Sequence, residues 1–409
     1  MPPELLNNDP GGFAWGVWHD RTPNLVAQVR DGHPYGPAQR RALDGLLDEI
    51  AGGLIAPLSA AACGTQTFQT WGADYFGTPW LDAPFLGSES YFYRRLLDAV
   101  GFFAPGAWHG VDPFAPLKDA ELRDPALAAG LAALDDLGRR PVPEQGQVKL
   151  LASLWGNRAD LGFRIGAATS SGQPVGAGRP AEAGRPAEAG LAGGLVADQS
   201  GDLWAALGPD AAVVLVADNA GREMIADLIL IDHLLHTGQA ASVALHVKPS
   251  PYYVSDATTA DVLACLRFLA GSAVPSGSAV PSGSAEQIAG RLTAALRTGQ
   301  LALRTHDFYC APWSYHRMPA DLAACYREAS LTILKGDLNY RRLTGDRAWP
   351  AITPLASVTA YFPGRVAALR TLKSDVVTGL APAVVAALDD TGQPWRINGE
   401  HGLIQVRGG

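Results

Sequence analysis

The chain has 409 residues, 47% of them hydrophobic, enough to bury a full core; this excludes a disordered or fibrous protein and predicts one large domain plus a smaller one. A formal net charge of −8 argues against bulk nucleic-acid binding, so any anionic ligand must be met by a local basic cluster. No apolar run reaches the roughly 18 residues of a membrane span, and the opening MPPELLNNDPGGFAW lacks a positive n-region and an apolar h-region, so a soluble cytoplasmic protein with no membrane partner is expected.

The first 145 residues read as a helical domain. GPAQRRALDGLLDEIAGG has apolar residues at helical spacing and a glycine stop, and SESYFYRRLLDAVGFF and DAELRDPALAAGLAALDDL look similar, with Ser88 and Asp119 as expected N-caps. Between them the aromatic-rich TWGADYFGTPWLDAPFLG reads as a packed loop. The cysteines Cys63, Cys265, Cys310 and Cys325 are scattered without CxxC spacing, which predicts buried free thiols.

Residues 146–409 read as an α/β/α core with two insertions, near 171–192 and 271–285, built on the duplications GRPAEAGRPAEA and GSAVPSGSAVPSGS. Such tracts cannot bury a core and are expected to be mobile surface segments. From Ala211 onward strands alternate with helices: AAVVLVADN, then AGREMIADLILIDHLLHTG closed by Gly238, then ASVALHVKPSPYYVSD, TTADVLACLRFLAG, DLAACYREA, LTILKG and GRVAALRTLKSD. This alternation predicts a mostly parallel sheet covered by helices on both faces. The closing PWRINGEHGLIQV, with its Asn-Gly turn, is expected to form an antiparallel edge hairpin.

Ligands of open α/β sheets sit beyond the carboxyl ends of the strands. Four predicted strands carry unusual polar residues there: Asp218 and Asn219; Lys248 to Asp256; Lys335 to Arg341; and Arg370 to Lys373. Two carboxylates and an amide oxygen are hard ligands that suit Mg²⁺ or Mn²⁺ and, less selectively, Co²⁺ or Ni²⁺. Lys335, Arg341, Arg370 and Lys373 would hold a phosphate. Each residue also has a plainer reading: Asp256 as an N-cap before TTADV, Asp218-Asn219 as an Asx turn, Lys248 as the flank of a rigid turn. His233, His236, His306 and His316 read as structural.

The ordered motifs LWGNRADL, DNAGRE, HVKPSPYYVSD, KGDLNYRRLTGDRAWP and RTLK, with RTPNLVAQVRD and ESYFYRRL before them, resemble the metal-dependent damage-control phosphatases. That family was formerly a domain of unknown function and is also called the acidic-residue methyltransferase family; RTLK points to its sugar-phosphate subfamily. The resemblance implies a divalent metal held by Asp218, Asn219 and Asp256, which would also be the catalytic set. It implies substrate contacts from Asp337, Leu338, Asn339, Tyr340, Arg341 and Lys373, with Glu223 in the same pocket. Asn157 and Arg158 fall in a family motif whose individual roles stay unassigned.

The expected activity is hydrolysis of small phosphomonoesters, hexose phosphates such as fructose 1-phosphate or fructose 6-phosphate. No DxD spacing of an aspartyl-phosphate enzyme is present, which favours direct attack by water. The alternatives are a carboxyl methyltransferase, disfavoured because no glycine-rich GxG turn follows a strand, and a non-catalytic sugar-phosphate-binding protein. Oligomeric state and preferred metal stay open.

Overall fold

The computed structural model describes residues 1–58, 70, 72–156, 194–271 and 283–408. Cys63, Asn157, Arg158 and nearly all of both insertions lie outside the described residues; Gly283 to Ala285 open a helix. The helices that matter here are α1 (Thr22–Gly32), α2 (Pro37–Gly52), α3 (Phe85–Val100), α4 (Ala115–Leu122), α5 (Val142–Trp155), α6 (Gly221–His236), α7 (Thr259–Leu269), α8 (Gly283–Thr298), α9 (Ala320–Glu328) and α10 (Gly336–Thr344).

The strands are β1 (Leu195–Asp198), β2 (Ala212–Val216), β3 (Ser242–Val247), β4 (Leu301–Thr305), β5 (Leu331–Lys335), β6 (Val366–Thr371) and β7 (Gly402–Arg407). Among the described residues they form one sheet in the order β1-β7-β6-β5-β2-β3-β4. From β6 across to β4 every pairing is parallel. The chain runs β2, β3, β4 to one side and then crosses back to place β5 and β6 on the other. The topological switch point therefore lies between β2 and β5, where a crevice opens at the carboxyl ends.

Alternation along the strands sorts the two faces. Val213 and Leu215 pack with α5 to α8 in one apolar cluster, while Val214 and Val216 face the other way into a second. Leu127, Leu131, Leu134 and Leu137 belong to the first cluster, whereas the helices up to Val100 share the second: Trp18, Val26, Leu43, Trp80 and Phe92 lie with Val214, Val216 and Leu334. They are thus one of the layers on the sheet. α5 runs across position 145 and packs on α6.

Several local expectations are corrected. Ser88 and Asp119 lie inside α3 and α4 and cap nothing; Ser88 returns its hydroxyl to the Pro84 carbonyl, 2.9 Å away. The stretch from Asp119 breaks at Pro125, whose ring and missing N–H interrupt the helix, and continues as Pro125–Leu131 and Ala133–Leu137. β7 is antiparallel to β6, but β1 covers its outer side and the helix Pro382–Asp389 intervenes, so there is no edge hairpin. Residues 72–84 of the aromatic stretch form turns, several of them exposed, that lead through the fully buried Trp80 into α3, to which Phe85 to Gly87 already belong.

His246, on β3, sits in the second core with Nδ1 2.5 Å from Tyr309 Oη. Burial, then the neighbouring Arg304 and His306, hold its pKa down at about 4. The unfolded chain takes up this proton first, near the ordinary pKa of 6.5, so the stability present above that value is lost as pH falls toward 4. Between pH 7 and pH 5 the loss expected from this group is about 2 kcal/mol. Urea midpoints at the two pH values should differ less by that amount in a His246→Phe variant; an unchanged difference would refute the assignment.

Candidate active site

β2 is a run of β-branched and leucine residues buried on both faces, and it stops where Asp218 and Asn219 meet the crevice. The β3 loop arrives from the other side. Asn219 and Asp256 pair as an isolated antiparallel bridge, Ala220 N donates to Ser255 O at 2.7 Å, and Ala257 N donates to Asp218 O at 2.9 Å. These bonds fix the two acid-bearing loops against each other. The side chains continue the lacing: Ser255 Oγ donates to Asn219 Oδ1 at 2.6 Å, and Asn219 Nδ2 donates to Asp218 Oδ2 at 3.0 Å and Glu223 Oε2 at 2.9 Å.

The capping reading of Asp256 falls away, because Thr258 caps α7 in a reciprocal box with Asp261. Asp256 is instead buried, with Oδ2 3.3 Å from Lys248 Nζ at an angle that makes no hydrogen bond; neither atom has one. Burial pushes the Asp256 carboxyl up to about 6; Lys248 pulls it back and Glu223 pushes it further up. Asp218 is raised well above the carboxylate range, first by burial and then by Glu223 and Asp256. Two acids that resist ionising beside each other, one with an orphaned oxygen, are a place where a cation would relieve stress. Among the described residues no three Asp, Glu, His or Cys side chains assemble into a cage. The available donors are the two carboxylates and one amide oxygen, which suits a hard cation that keeps waters or a substrate oxygen in its shell.

A cavity of about 500 Å³ opens over this set, lined by Asp218, Asn219, Glu223, Asp256, Asp337, Leu338, Arg341 and Lys373. Asp337 is in the first turn of α10, and its Oδ1 takes the Arg370 guanidinium at 2.7 Å, Ser374 Oγ at 3.0 Å and the Lys373 N–H at 3.4 Å. Burial alone would raise its pKa; Arg370, Arg341 and Ser374 more than offset that and hold it low, so Asp337 is a fixed anion.

Four residues expected at the site do not line the cavity. Asn339 Nδ2 donates to the carbonyls of Lys335 and Ala217, at 2.8 and 3.2 Å, and its Oδ1 accepts from Tyr315 Oη at 3.0 Å. Tyr340 Oη is tied to Thr378 and Gln405. Arg370 lies behind Asp337, also donating to Val376 O and Ser374. Lys335 is buried beneath, 2.9 Å from Asp227 and 3.5 Å from Glu223. Lys248 directly precedes the bend at Pro249 and Ser250, and it also faces Asp256.

His233 packs in the core against Trp204, and His236 ends α6. His306 caps a short 3₁₀ turn, and His316 stacks on Tyr361, so all four histidines lie away from the cavity.

The cavity also has walls that sequence reasoning gave no role: Phe13, Arg21, Asn24 and Gln28 from the N-terminal segment and α1, and Glu89 and Tyr93 from α3. All of these but Phe13 lie in stretches, RTPNLVAQVRD and ESYFYRRL, that carry the family resemblance, which was the available signal. Tyr253 and Val254, just before Ser255, stand at φ 42° and 64°, a left-handed backbone that tyrosine and above all β-branched valine avoid.

A sequence profile described as the damage-control phosphatase ARMT1-like domain matches residues 17–388. Damage-control phosphatase ARMT1 of Rattus norvegicus is 29% identical over an alignment covering 100% of this chain and 99% of the relative. The Homo sapiens protein of that name is 26% identical with the same coverage. A solved DUF89 family protein from Pyrococcus horikoshii superposes with a TM-score of 0.49 at 13% identity, covering 95% of this chain and 96% of that one. The profile match begins in the N-terminal turn that walls the cavity and runs past the Lys373 loop, and the chain belongs to the ARMT1-like damage-control phosphatase family.

Proposed function

We propose that the chain is a divalent-metal-dependent phosphatase of small phosphomonoesters, hexose phosphates such as fructose 1-phosphate and fructose 6-phosphate foremost. The observation that carries this reading is the paired acid loops at the sheet's switch point, opening on a cavity that also presents Lys373. The relatives' name, damage-control phosphatase, supports the reaction class.

Asp218, Asn219 and Asp256 would hold the ion, Mn²⁺, Co²⁺, Ni²⁺ or Mg²⁺; when bound it supplies Lewis acidity toward a phosphate oxygen and acidifies a water. The protein does the rest. Ser255 and Glu223 fix the Asn219 amide, so its oxygen has one aim. Asp218 and Asp256 both line the cavity, and an oxygen of either could take a proton from the attacking water. Lys373 offsets charge on the phosphoryl group, and the second oxygen of Asp337 is free to orient a sugar hydroxyl.

Phosphate release from a panel of sugar phosphates, with each metal in turn and after chelation, tests the reading. Chelation should abolish release, and Asp256→Ala should lower it by about hundredfold or more. Release that survives both would refute the metal-dependent reading; a silent panel with metal bound would favour sugar-phosphate binding or methyl transfer.

A further inference from the structure

The cavity wall carries the carboxylates of Glu89, Asp218, Glu223, Asp256 and Asp337 against the cations Arg21, Arg341 and Lys373. A phosphate dianion entering such a wall needs cations with charge to spare. Arg341 has little: its guanidinium grips Asp346 at 2.7 and 3.0 Å and Glu89 at 2.8 Å, so its donor edges are answered by anions, and it lies over the Phe85 ring. Arg370, Lys335 and Lys248 are each committed to a carboxylate as well. Among the described residues Arg21 and Lys373 line the cavity with no carboxylate partner.

Arg21 is aimed by its local structure. Residues Val17–Arg21 form a π-helical turn, a widened coil that recurs at functional sites. It runs into α1, and Arg21, Asn24, Leu25 and Gln28, at spacings of three, four and seven, all reach the cavity. This is a single helical face. The charge of Arg21 is also felt at the buried Tyr93, whose pKa burial raises and Arg21 opposes. A second cavity of about 490 Å³ adjoins the first and shares Phe13, Val17, Arg21 and Lys373 with it, so the two uncommitted cations stand on the divide.

We propose that Arg21 and Lys373 together are the anion clamp of the site, gripping the non-bridging oxygens of a phosphoryl group at the divide between the two cavities, with Arg341 serving the wall instead. This rests on the phosphatase reading above and adds to it a residue from the N-terminal layer. Arginine suits the task because its planar fork meets two phosphate oxygens at once.

The test is calorimetric titration of inorganic phosphate into the Mn²⁺-loaded full chain, wild type against Arg21→Ala and Arg21→Lys, with Mn²⁺ affinity measured separately. Arg21 is exposed and its one described contact is the Phe13 ring at 5.8 Å, so both variants should fold. Arg21→Ala should weaken phosphate binding by about tenfold or more, with Mn²⁺ affinity unchanged, and Arg21→Lys should recover part of it. Unaltered phosphate affinity in both variants overturns the clamp and leaves the phosphatase reading standing. Absence of phosphate binding in the wild type, with Mn²⁺ bound, overturns that reading itself.

Discussion

Gly336→Ala is expected to dismantle the acid site and to lower stability by about 4 kcal/mol, combining left-handed strain with overpacking. Gly336 closes β5 and opens α10 at φ 81°. A Cβ there would stand 2.6 Å from Asp218 Cβ and overlap its carboxylate outright. The bare Cα is what lets the β5 turn press against the β2 turn across the switch point. An added methyl must push Asp218 away from Asn219 or lift the start of α10, which carries Asp337. Urea unfolding together with Mn²⁺ titration checks this: a variant of near-normal midpoint that still binds the ion would sink the argument.

Arg341→Met should cost about 3 to 5 kcal/mol, the usual result of stranding buried charge. Its removal leaves Glu89 and Asp346, both buried, facing each other without a cation. Burial already raises the Glu89 carboxyl, against the pull of Arg341. Lysine should not rescue the loss, because a point charge cannot span both acids as the fork does. The contrast with Arg21→Ala is the useful one: the first substitution is expected to move stability, the second ligand affinity. A loss below about 1 kcal/mol in the urea midpoint would place Arg341 among ordinary surface ion pairs.

The strands that make the crevice were legible because buried parallel strands are short runs of Val, Leu and Ile, and β2, β3, β5 and β6 all have them. Parallel order then forces their polar ends to one edge, so the meeting of Asp218, Asp256, Asp337 and Lys373 could be read from pattern. What each member of DLNYR does could not. Asp337, Leu338 and Arg341 fall on one side of α10, whereas Asn339 and Tyr340 are turned about 100° per residue away from it. A contiguous motif on a helix cannot present every residue to one cavity. Nor could pattern show that Arg341 is spent on Glu89, a partner 252 positions away, or that an N-terminal turn supplies a wall.

The loop that bears Asp256 is not portable. Tyr253 and Val254 hold left-handed backbone that costs on the order of 1 to 3 kcal/mol each, and the clasp that keeps them there comes from α3. Tyr253 stacks on Tyr93 with centroids 4.5 Å apart and meets Ser90 Oγ at 3.2 Å, 163 positions earlier in the chain. Transplanted as a peptide onto another sheet, PYYVSD would relax toward ordinary extended backbone and lose the aim of its aspartate. PYYVSD is a local motif in sequence, but its geometry is borrowed from a helix 163 positions earlier.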